Sequence, residues 1–561
     1  MKSKLSGLII LSLLFVSLPA SGGQRFEGVE VDTTHYFTIQ NYFLSPFQLT
    51  DYNFLGGGAR ARGMGGAFFA VSDDPTAASW NPAGLTQLDK AQMNLSFSSY
   101  MGRTEYTSNL DSPTFDYSIG DELKHDINAI SFASVVIPFK LRETELVGGV
   151  LYQRLADIYQ ENRYALILDE AAVLYPDTVI ISENYVLPPI NEEVKGRLNV
   201  VSISAASKFF ESLSFGAGIN IYTGKFTSDA NFFVPAVGYT VHEDAVYPAI
   251  DPTGLYGRRF HPHIESEYSG FNFTLGAMYE LEKLCLAGVL KTPFTLKEEN
   301  DVKLFQDVIE LGEILDSYSS LRSPFFKTDR TWKMPTMIGF GTSYQINSLT
   351  LAADLEYRYY SKTEVTYRRN IADPESDEVT TGDYLTDKWW GRVDSLPPFV
   401  ESLNWRDLTQ FRIGAEYVVN TGFGNIPLRI GFRNDPKPFK PQYDVSEVYL
   451  RNDFTQTIVI GSDTVYNDEP FFLQSNHKDR ELGRLNGYII SFGTGIAWSQ
   501  IKLDITYEYA RYDDVENNTA TQVALYDRGF RTIHKVLHRN KFSNKESNKY
   551  SRIMMSFTGF F

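Results

Sequence analysis

Cysteine is almost absent from this sequence of 561 residues, in which Cys285 is the only one. A single thiol excludes a disulfide within the chain, and it excludes a metal cluster held by several cysteines. We therefore expect neither a covalent cross-link nor a cysteine-bound metal.

Long apolar runs are scarce as well. The longest covers residues 8–18, follows Lys2 and Lys4, and precedes the small residues 20–23. This order of charged, apolar and small residues is typical of a secretory signal peptide, and the run is too short to span a bilayer as a helix. We predict a signal peptide over 1–22 and an exported mature chain. We expect no lipid anchor, because no cysteine follows the run.

Positive charge is in deficit. The chain has 52 Lys and Arg against 69 Asp and Glu, which gives a formal net charge of −17. Binding of nucleic-acid phosphates requires a basic surface. Nucleic acid is therefore excluded as a predicted partner.

Aromatic residues, by contrast, make up 14% of the chain. Near its end, residues 551–561 alternate between a mixed set and a mostly apolar set, namely Ile553, Met555, Phe557, Gly559 and Phe561. In a soluble sheet such an apolar edge strand promotes aggregation, whereas in a closed membrane barrel it pairs with the first strand. The pattern predicts the last strand of a transmembrane barrel and a signal for the barrel assembly machinery. The last strand of a soluble β-domain is the alternative.

Segments with period-two alternation recur along the chain. We predict about fourteen strands, at 93–101, 127–137, 145–154, 197–208, 213–225, 269–281, 284–296, 334–345, 349–360, 408–419, 425–433, 487–498, 501–512 and 550–560. Connections after the even-numbered strands are tight, and those after the odd-numbered strands are long and polar. Short periplasmic turns and long extracellular loops produce this asymmetry. The predicted fold is all-β, a transmembrane antiparallel β-barrel of about 14 strands over 91–561, in the bacterial outer membrane with periplasmic termini.

Two of the predicted outer loops have a distinctive composition. Residues 169–193 include six acidic residues and no Lys or Arg. They serve either as soluble cover or as a bridge through divalent cations to lipopolysaccharide, so outer-membrane lipid and lipopolysaccharide are predicted partners. Residues 304–321 have apolar residues at helical spacing and are predicted to form a helix.

Between the signal peptide and the first strand, residues 56–66 contain six glycines. Glycines at this density indicate turns with positive φ or close backbone contact. The glycines do not end in the Gly-Lys-Ser/Thr of a phosphate loop, and no strand-to-helix context surrounds them. We therefore interpret the stretch as a tightly packed structural segment.

The run GARARGMGGAFFAVSDDPTAASWNPAGL, residues 58–85, resembles the amino-terminal plug, or hatch, of the FadL/TodX family of outer-membrane channels for long-chain fatty acids and other hydrophobic compounds. The resemblance implies a barrel closed by a plug, with 23–90 as extension and plug domain. It also implies a monomer that takes up a hydrophobic small-molecule ligand by passive diffusion and releases it sideways into the membrane. The same motif resembles PorV-like barrels of type IX secretion, which bind exported proteins; this is the alternative function.

Candidate site residues follow from the motif and the strand pattern. The resemblance implies gating by the plug, which we assign to Gly65, Gly66, Asn81, Pro82 and Ala83. It also implies lateral opening of the wall at the third strand, which we assign to the glycine pair Gly148 and Gly149. An ordinary turn and simple close packing are the respective alternatives. The predicted ligand-binding residues are Arg60, Arg62, Phe68, Phe69, Arg412 and Arg429. The arginines would either bind a fatty-acid carboxylate or tie the plug to carboxylates of the lumen.

Charged residues also fall on the predicted inward faces of the strands. They are Asp354, Glu356, Arg358, Arg412, Glu416, Arg429, Arg433, Asp504 and Glu508. Mutual ion pairing is the expected arrangement. The eight His residues form no nucleophile–His–carboxylate pattern on adjacent strands, so we predict no enzymatic activity, no metal site and no cofactor.

Overall fold

The computed structural model describes residues 54–112, 115–164, 167–175, 178–186, 190–235, 237–242, 245–250, 257–310, 313–321, 328–369, 399–402, 405–422, 424–438, 445–452, 456–460, 463–467, 472–479, 486–526 and 533–561, together with residues 29–30. The predicted signal peptide, most of the segment before residue 54 and the acidic side chains of 169–191 lie outside the described part.

Fourteen antiparallel strands of the described chain form one closed ring. They are β1 Gln92–Ser112, β2 Phe115–Leu141, β3 Thr144–Tyr164, β4 Ile190–Phe210, β5 Leu213–Pro235, β6 Gly257–Glu280, β7 Leu284–Lys291 with Phe294–Glu310, β8 Thr328–Met334 with Met337–Ile346, β9 Leu349–Arg358 with Glu364–Arg369, β10 Phe399–Ser402 with Leu408–Thr421, β11 Gly424–Asn434 with Val445–Asn452, β12 Phe472–Asp479 with Gly487–Ala497, β13 Ile501–Tyr512 with Val515–Tyr526, and β14 Ile533–Phe560. Each strand pairs with the next. The ring closes through β1 and β14, whose register runs from Gln92 opposite Phe560 to Asp111 opposite Lys541. The predicted 14-stranded barrel is confirmed.

Side-chain alternation explains the ring. On β14, Ile553, Met555 and Phe557 are 40–44% exposed on the outside, whereas Ser556 and Thr558 are buried on the inside. A sheet with an apolar outer face and a polar inner face suits a membrane only when it is closed, because closure leaves no unpaired edge. The tight turns also lie where the sequence predicts them, after the even-numbered strands, for example between Phe210 and Leu213.

Smaller elements lie outside this ring. Ile167–Tyr175, Thr178–Val186, Val237–His242 and Ala245–Ile250 form a four-stranded sheet, Gln456–Ile460 pairs with Asp463–Asn467, and Val29–Glu30 pairs with the outer part of β11. Within the described residues, no helix has the length and apolar character needed to cross a membrane.

The helix predicted over 304–321 is wrong. Residues up to Glu310 continue β7, paired with β6, and Glu313–Leu321 folds back on β7 as a further strand. The apolar residues Val302, Leu304 and Val308 satisfy a period of two as well as a helical period. The long neighbouring strand β6 therefore decides between the two patterns.

The predicted strands were also too short. Several strands extend ten or more residues beyond the predicted bounds. For example, β1 continues past Met101 to Ser112, and β14 begins at Ile533, well before Tyr550; the two extensions pair with each other. On β1 and β14 these outer parts have no apolar alternation, but the ladder between the two strands continues through them.

Candidate functional site

Residues 54–88, here called the lumen segment, lie inside the ring. The segment contains the short helices α1 Ala59–Gly63 and α2 Ala77–Trp80 and a 3₁₀ helix, Pro82–Gln87. Phe68 is fully buried and Trp80 is 1% exposed. This burial is supplied by the inner faces of the strands, as the contacts below show.

Hydrogen bonds join the lumen segment to opposite walls of the ring. On one side, Ala59 donates its N–H to Ser556 Oγ of β14 at 2.8 Å, and Thr506 of β13 donates to the Ala59 carbonyl at 2.6 Å. On the other side, seven strands from β13 around the ring, the Asn81 side-chain amide donates to the carbonyl of Ala277 of β6 at 3.3 Å. The segment therefore spans the lumen at this level.

Gly65 and Gly66 lie at the closest approach between the segment and the wall. Both have positive φ, +69° and +82°. A Cβ atom on Gly65 would lie 2.6 Å from the backbone N of Phe432, and one on Gly431 of β11 would lie 1.9 Å from the backbone N of Gly65. Only glycine on both sides permits this backbone contact.

Asn81, Pro82 and Ala83 form a buried turn against β5 and β6. The Asn81 side-chain oxygen accepts the Ala83 N–H at 3.1 Å, and its amide group donates to the carbonyls of Phe69 at 2.9 Å and Ala277 at 3.3 Å. The side chain thus caps the 3₁₀ helix and ties two parts of the lumen segment to the wall. The predicted gating residues are therefore all buried at the contact between the lumen segment and the strands.

A network of charged side chains joins the lumen segment to β10, β11 and β13. Arg60 pairs with Glu416 of β10 at 2.8 Å and with Asp73, while Arg429 of β11 pairs with Glu416 and with Asp504 at 2.8 Å. The predicted pairing of inward-facing charges is confirmed in this part of the ring. A charge at this depth needs such partners, because an unpaired buried charge is costly.

Two further arginines of the prediction belong to the same network. Arg62 lies 3.9 Å from Glu508, which also pairs with Arg433. Arg412 pairs with Glu356 at 2.9 Å, and its guanidinium stacks on the Phe69 ring, 4.6 Å from the centroid. A ligand carboxylate would therefore have to compete with internal carboxylates at each of these arginines. Their ligand-binding role stays a prediction.

Asp354 of β9 is a positioning residue whose specific contact the sequence did not indicate. Its carboxylate accepts the backbone N–H groups of Phe68 at 2.8 Å and Phe69 at 3.1 Å. The carboxylate thereby fixes the turn that buries both aromatic rings.

A packed cluster of buried apolar and aromatic side chains, which we call the vestibule, extends from Phe54 of the lumen segment toward the outer parts of the strands. Its residues are Phe54, Ala156, Val194, Leu198, Val200, Tyr222, Phe226, Tyr268, Leu296, Trp332, Met334, Tyr360, Val365, Trp405 and Leu408. Along β5, Gly216 contacts the lumen segment, whereas Tyr222 and Phe226 lie farther from the tight turn that precedes the strand. The vestibule is therefore on the side of the lumen segment that faces away from the tight turns.

Strand β4 has apolar residues on both of its faces, which is a sequence signal for the vestibule. On β4, Leu198 and Val200 face inward and are buried, while the neighbouring Val201 and Ile203 are exposed outward. A strand with apolar residues on both faces indicates an apolar interior, in contrast to the polar interior of a water-filled pore.

A cavity of about 30 Å³ lies where the vestibule meets the lumen segment. It is lined by Phe54, Leu55, Ser79, Gln153, Leu155, Val200, Ser202, Asn220, Tyr222, Asn272, Lys291, Phe294, Met334, Pro335, Met337, Arg358 and Tyr360. This volume holds about two water molecules, so side chains must move before a larger molecule enters. Among the described residues, the Lys291 ammonium has no hydrogen bond or ion pair, whereas Arg358 pairs with Glu356.

The backbone pairing between β2 and β3 ends beside this cavity. The ladder between them runs from Leu141 opposite Thr144 to Phe132 opposite Gln153, and no further pair joins the described residues of these two strands. Beyond that point β2 stays paired with β1 and β3 stays paired with β4, where a register shift leaves Leu155 unpaired. We call this point the split.

The split lies within the band of outward-facing apolar side chains around the ring, here called the apolar belt, which on β14 comprises Ile553, Met555 and Phe557. Ile130, on the unpaired side of Phe132, is 48% exposed on the outside, and Val150 of β3 is 52% exposed. Gln153 and Leu155 line the cavity, and the Gln153 side chain donates to the Leu55 carbonyl at 2.6 Å. The inner cavity and the outer apolar surface therefore approach each other at Gln153.

Gly148 and Gly149 lie in the intact part of the ladder. Gly149 pairs with Val136 on one side and Ser204 on the other, and Gly148 pairs with Ile137 and Ala205. Pairing between β2 and β3 ends four positions farther along β3. The lateral-opening role assigned to the two glycines stays a prediction.

A polar cluster around His263 lies on the outer parts of β5 and β6, beyond the apolar belt. His263 contacts both Asp229 and Glu265, and Lys225 pairs with Glu265 at 2.6 Å. The hydrogen bond with Asp229, and a second with Glu265, raise the pKa of His263 against the effect of its partial burial. Within the described chain, no group of three or more His, Cys, Asp or Glu side chains is arranged to hold a metal ion.

No family model and no curated protein matches this sequence. Among solved structures, the fold is similar to that of a FadL homologue of Pseudomonas aeruginosa, with a TM-score of 0.50 and 11% identity over 90% of this chain and 98% of that chain. The toluene transporters TbuX of Ralstonia pickettii and TodX of P. putida have TM-scores of 0.43 and 13% identity, with 91% of this chain covered and 100% and 99% of theirs.

The likeness to the FadL homologue is one of fold, since 11% of residues are identical. It confirms, at the level of the fold, the FadL-like barrel that the sequence motif predicts. Two of the three structures are named as toluene transporters, and none is named as an enzyme.

Proposed function

We propose that this chain is an outer-membrane channel for the uptake of hydrophobic small molecules, such as long-chain fatty acids or hydrocarbons. The molecules enter by passive diffusion through the vestibule and leave sideways into the membrane. In this proposal the barrel is a monomer in the bacterial outer membrane, inserted by the barrel assembly machinery, with periplasmic termini. The lumen segment is the plug.

The observation that carries the proposal is the apolar, aromatic lining of the vestibule inside a closed barrel. Trp332 is fully buried, and Tyr222 stacks on Phe294 with ring centroids 4.6 Å apart. Burying apolar ligand surface against such a lining contributes roughly 25 cal/mol for each Å² removed from water. An apolar solute is therefore favoured in the vestibule, and a polar one is not.

In this proposal the lumen segment blocks the straight path along the barrel axis. It spans the lumen below the cavity, so a ligand has no straight path toward the tight-turn end without displacing the charged network. The split, by contrast, requires only that Phe54, Leu55 and Gln153 move. Lateral exit at the split is therefore the easier route, with Gly65, Gly66 and Asn81 holding the rest of the plug in place.

Lys291 is the proposed anchor for an acidic head group. It is the one cation of the cavity lining without an ion pair among the described residues. A hydrogen bond to a charged group contributes about 1.5–3 kcal/mol. Fatty acids would gain this contact, and neutral hydrocarbons would not.

Two substitutions on one strand test the proposal. Lys291→Met removes the cavity cation, while Lys297→Met removes an exposed lysine of β7 that lies outside the cavity lining. Reconstituted barrels are compared for uptake of a labelled long-chain fatty acid and of toluene. We expect Lys291→Met to lower fatty-acid uptake about tenfold or more, leaving toluene unaffected, and Lys297→Met to match the wild type.

Native mass spectrometry of the purified barrel provides the second readout. Co-purified fatty acid or hydrocarbon supports the channel. Failure of both compounds to enter the wild-type barrel, together with a stably bound exported protein, would replace the channel with the secretion function.

A further inference from the structure

Four basic side chains form an unbroken row across four neighbouring strands. Arg511 of β13 is directly opposite Lys549 of β14, Lys549 is opposite Arg103 of β1, and Arg103 is opposite Lys124 of β2. We call these four residues the basic row. At a strand spacing of about 4.8 Å, the row spans about 15 Å of the outer surface.

All four side chains point away from the lumen. Arg103 and Lys124 are 55% and 61% exposed, and Lys549 is 37% exposed. On β14 the outward positions nearer the chain end include Ile553, Met555 and Phe557, which form the apolar belt. The basic row therefore borders the belt.

The height of the row matches one hydrocarbon thickness. About eleven positions separate Arg103 from Gln92, which lies opposite Phe560 at the other edge of the belt. At about 3.3 Å per residue and a strand tilt of about 40°, this corresponds to about 28 Å along the membrane normal. The hydrocarbon core of a bilayer is about 30 Å thick. The basic row thus lies at the head-group level of the leaflet farthest from the tight turns.

Directly opposed like charges destabilise a sheet. Acidic side chains relieve only part of this repulsion. Glu122 pairs with Lys124 at 3.0 Å and Arg103 at 3.5 Å, and Glu105 pairs with Lys549. Among the described side chains, Arg511 has no acidic partner within ion-pair distance.

The charges are sorted into layers along the barrel axis. Glu105, Glu122 and Asp513 lie one outward position beyond the basic row, and Asp126 lies one outward position nearer the belt. An anion at the level of the row therefore meets four cations side by side. Phosphate groups of lipids are confined to this level.

We propose that the basic row binds the phosphate groups of lipopolysaccharide in the outer leaflet. This inference rests on the outer-membrane location in the proposed function, but not on the transported ligand. Phosphate on an outer-leaflet glycolipid relieves the repulsion within the row through charge-assisted hydrogen bonds. The acyl chains of the same lipid cover the apolar residues of β13, β14 and β1 below.

Replacement of the whole row tests the proposal. In the row variant, Arg103, Lys124, Arg511 and Lys549 are each changed to Gln. In the matched control, four outward basic residues of other strands, Arg197, Lys225, Lys297 and Lys333, are changed to Gln. Arg197 and Lys225 are also opposite each other, but this pair is flanked at the same level by the acidic residues Asp157 and Glu267, so it does not form a row of cations alone. Folding of each variant is verified by the heat-dependent gel shift of the barrel.

Binding is measured by native mass spectrometry with diphosphorylated lipid A and with its dephosphorylated form. We expect the row variant to bind diphosphorylated lipid A at least tenfold more weakly than the control, and both to bind the dephosphorylated form equally. Equal binding of diphosphorylated lipid A by the two folded variants would overturn the proposal.

Uptake separates this inference from the proposed function. The row variant is expected to take up fatty acid like the wild type, because the row lies outside the vestibule. Failure of wild-type uptake with selective lipid A binding intact would remove the channel function and leave the lipid site standing.

Discussion

At the scale of single residues, buried carboxylates determine how the lumen segment is held. Asp354 accepts two backbone N–H groups, and Glu416 pairs with an arginine of the segment and an arginine of the wall. Each carboxylate is itself stabilised by a neighbouring guanidinium. Removing one of them leaves its partners buried and unsatisfied, which costs more than the lost bond alone.

Asp354→Ala is expected to loosen the lumen segment near Phe68 and Phe69 by about 2–4 kcal/mol, because two charge-assisted hydrogen bonds are lost. Amide hydrogen exchange of these two residues measures the effect. Ser343→Ala is the control, since Ser343 donates one neutral hydrogen bond to the Ala70 carbonyl of the same segment. Unchanged exchange at Phe68 and Phe69 would show that Asp354 does not hold the turn.

His263 makes the outer part of β5 and β6 sensitive to pH. Its hydrogen bond with Asp229, and then that with Glu265, raise its pKa above the unfolded value of about 6.5. A raised folded-state pKa gives stability that is fully present below about pH 6.5 and is lost as the pH rises through the folded-state value. The group is partly solvated, so the effect is on the order of 0.5 kcal/mol.

Amide exchange of β6 around His263, followed from pH 5 to pH 8, is the measurement. Protection is expected to fall as the pH rises, and His263→Gln is expected to remove this dependence while Lys225 still pairs with Glu265. A variant that keeps the wild-type pH profile would assign the effect to another group.

At the scale of elements, the third strand has two adjacent glycines with different surroundings. A Cβ on Gly149 would point inward, 3.2 Å from Val136 Cγ2 and 3.9 Å from Leu85 Cδ1 of the lumen segment. A Cβ on Gly148 would point outward, 3.1 Å from the Phe139 ring. The pair therefore offers an inward test and an outward control at neighbouring positions.

Gly149→Val is expected to reduce uptake several-fold, because the added methyl groups press on Val136 of β2 and shift β3, whose ladder with β2 ends four positions farther on at the split. Gly148→Val is expected to keep uptake near the wild-type rate, since the new side chain faces lipid. Uptake is measured in reconstituted vesicles with a labelled fatty acid. Wild-type uptake by both variants would remove the glycines from the opening mechanism.

At the scale of the whole molecule, the features that could be predicted from the sequence are those that produce an alternation of apolar and polar residues. Strands such as Ile501–Tyr512 were found because lipid outside and charge inside impose a period of two. The closed ring followed from the apolar last strand and the uneven connections. These features are local in sequence.

The features that the sequence did not reveal depend on neighbouring strands. The β2–β3 ladder ends at Phe132 and Gln153, and no distinctive residue composition marks this point in the sequence. The cavity at Lys291 arises where seven strands and the lumen segment meet, and residues 304–321 follow their neighbour instead of their helical spacing. Such features require knowledge of which residues face each other across the ring.

The pairing of β1 with β14 also dictates an order of events in assembly. The two strands are separated by more than 400 residues of chain, so the ring stays open until the last strand has been delivered. Ala59 of the lumen segment is bonded to Ser556 of that last strand and to Thr506 beside it. The contacts of Ala59 therefore form only after the last strand has joined the ring, so final placement of the lumen segment and closure of the ring are coupled steps of assembly.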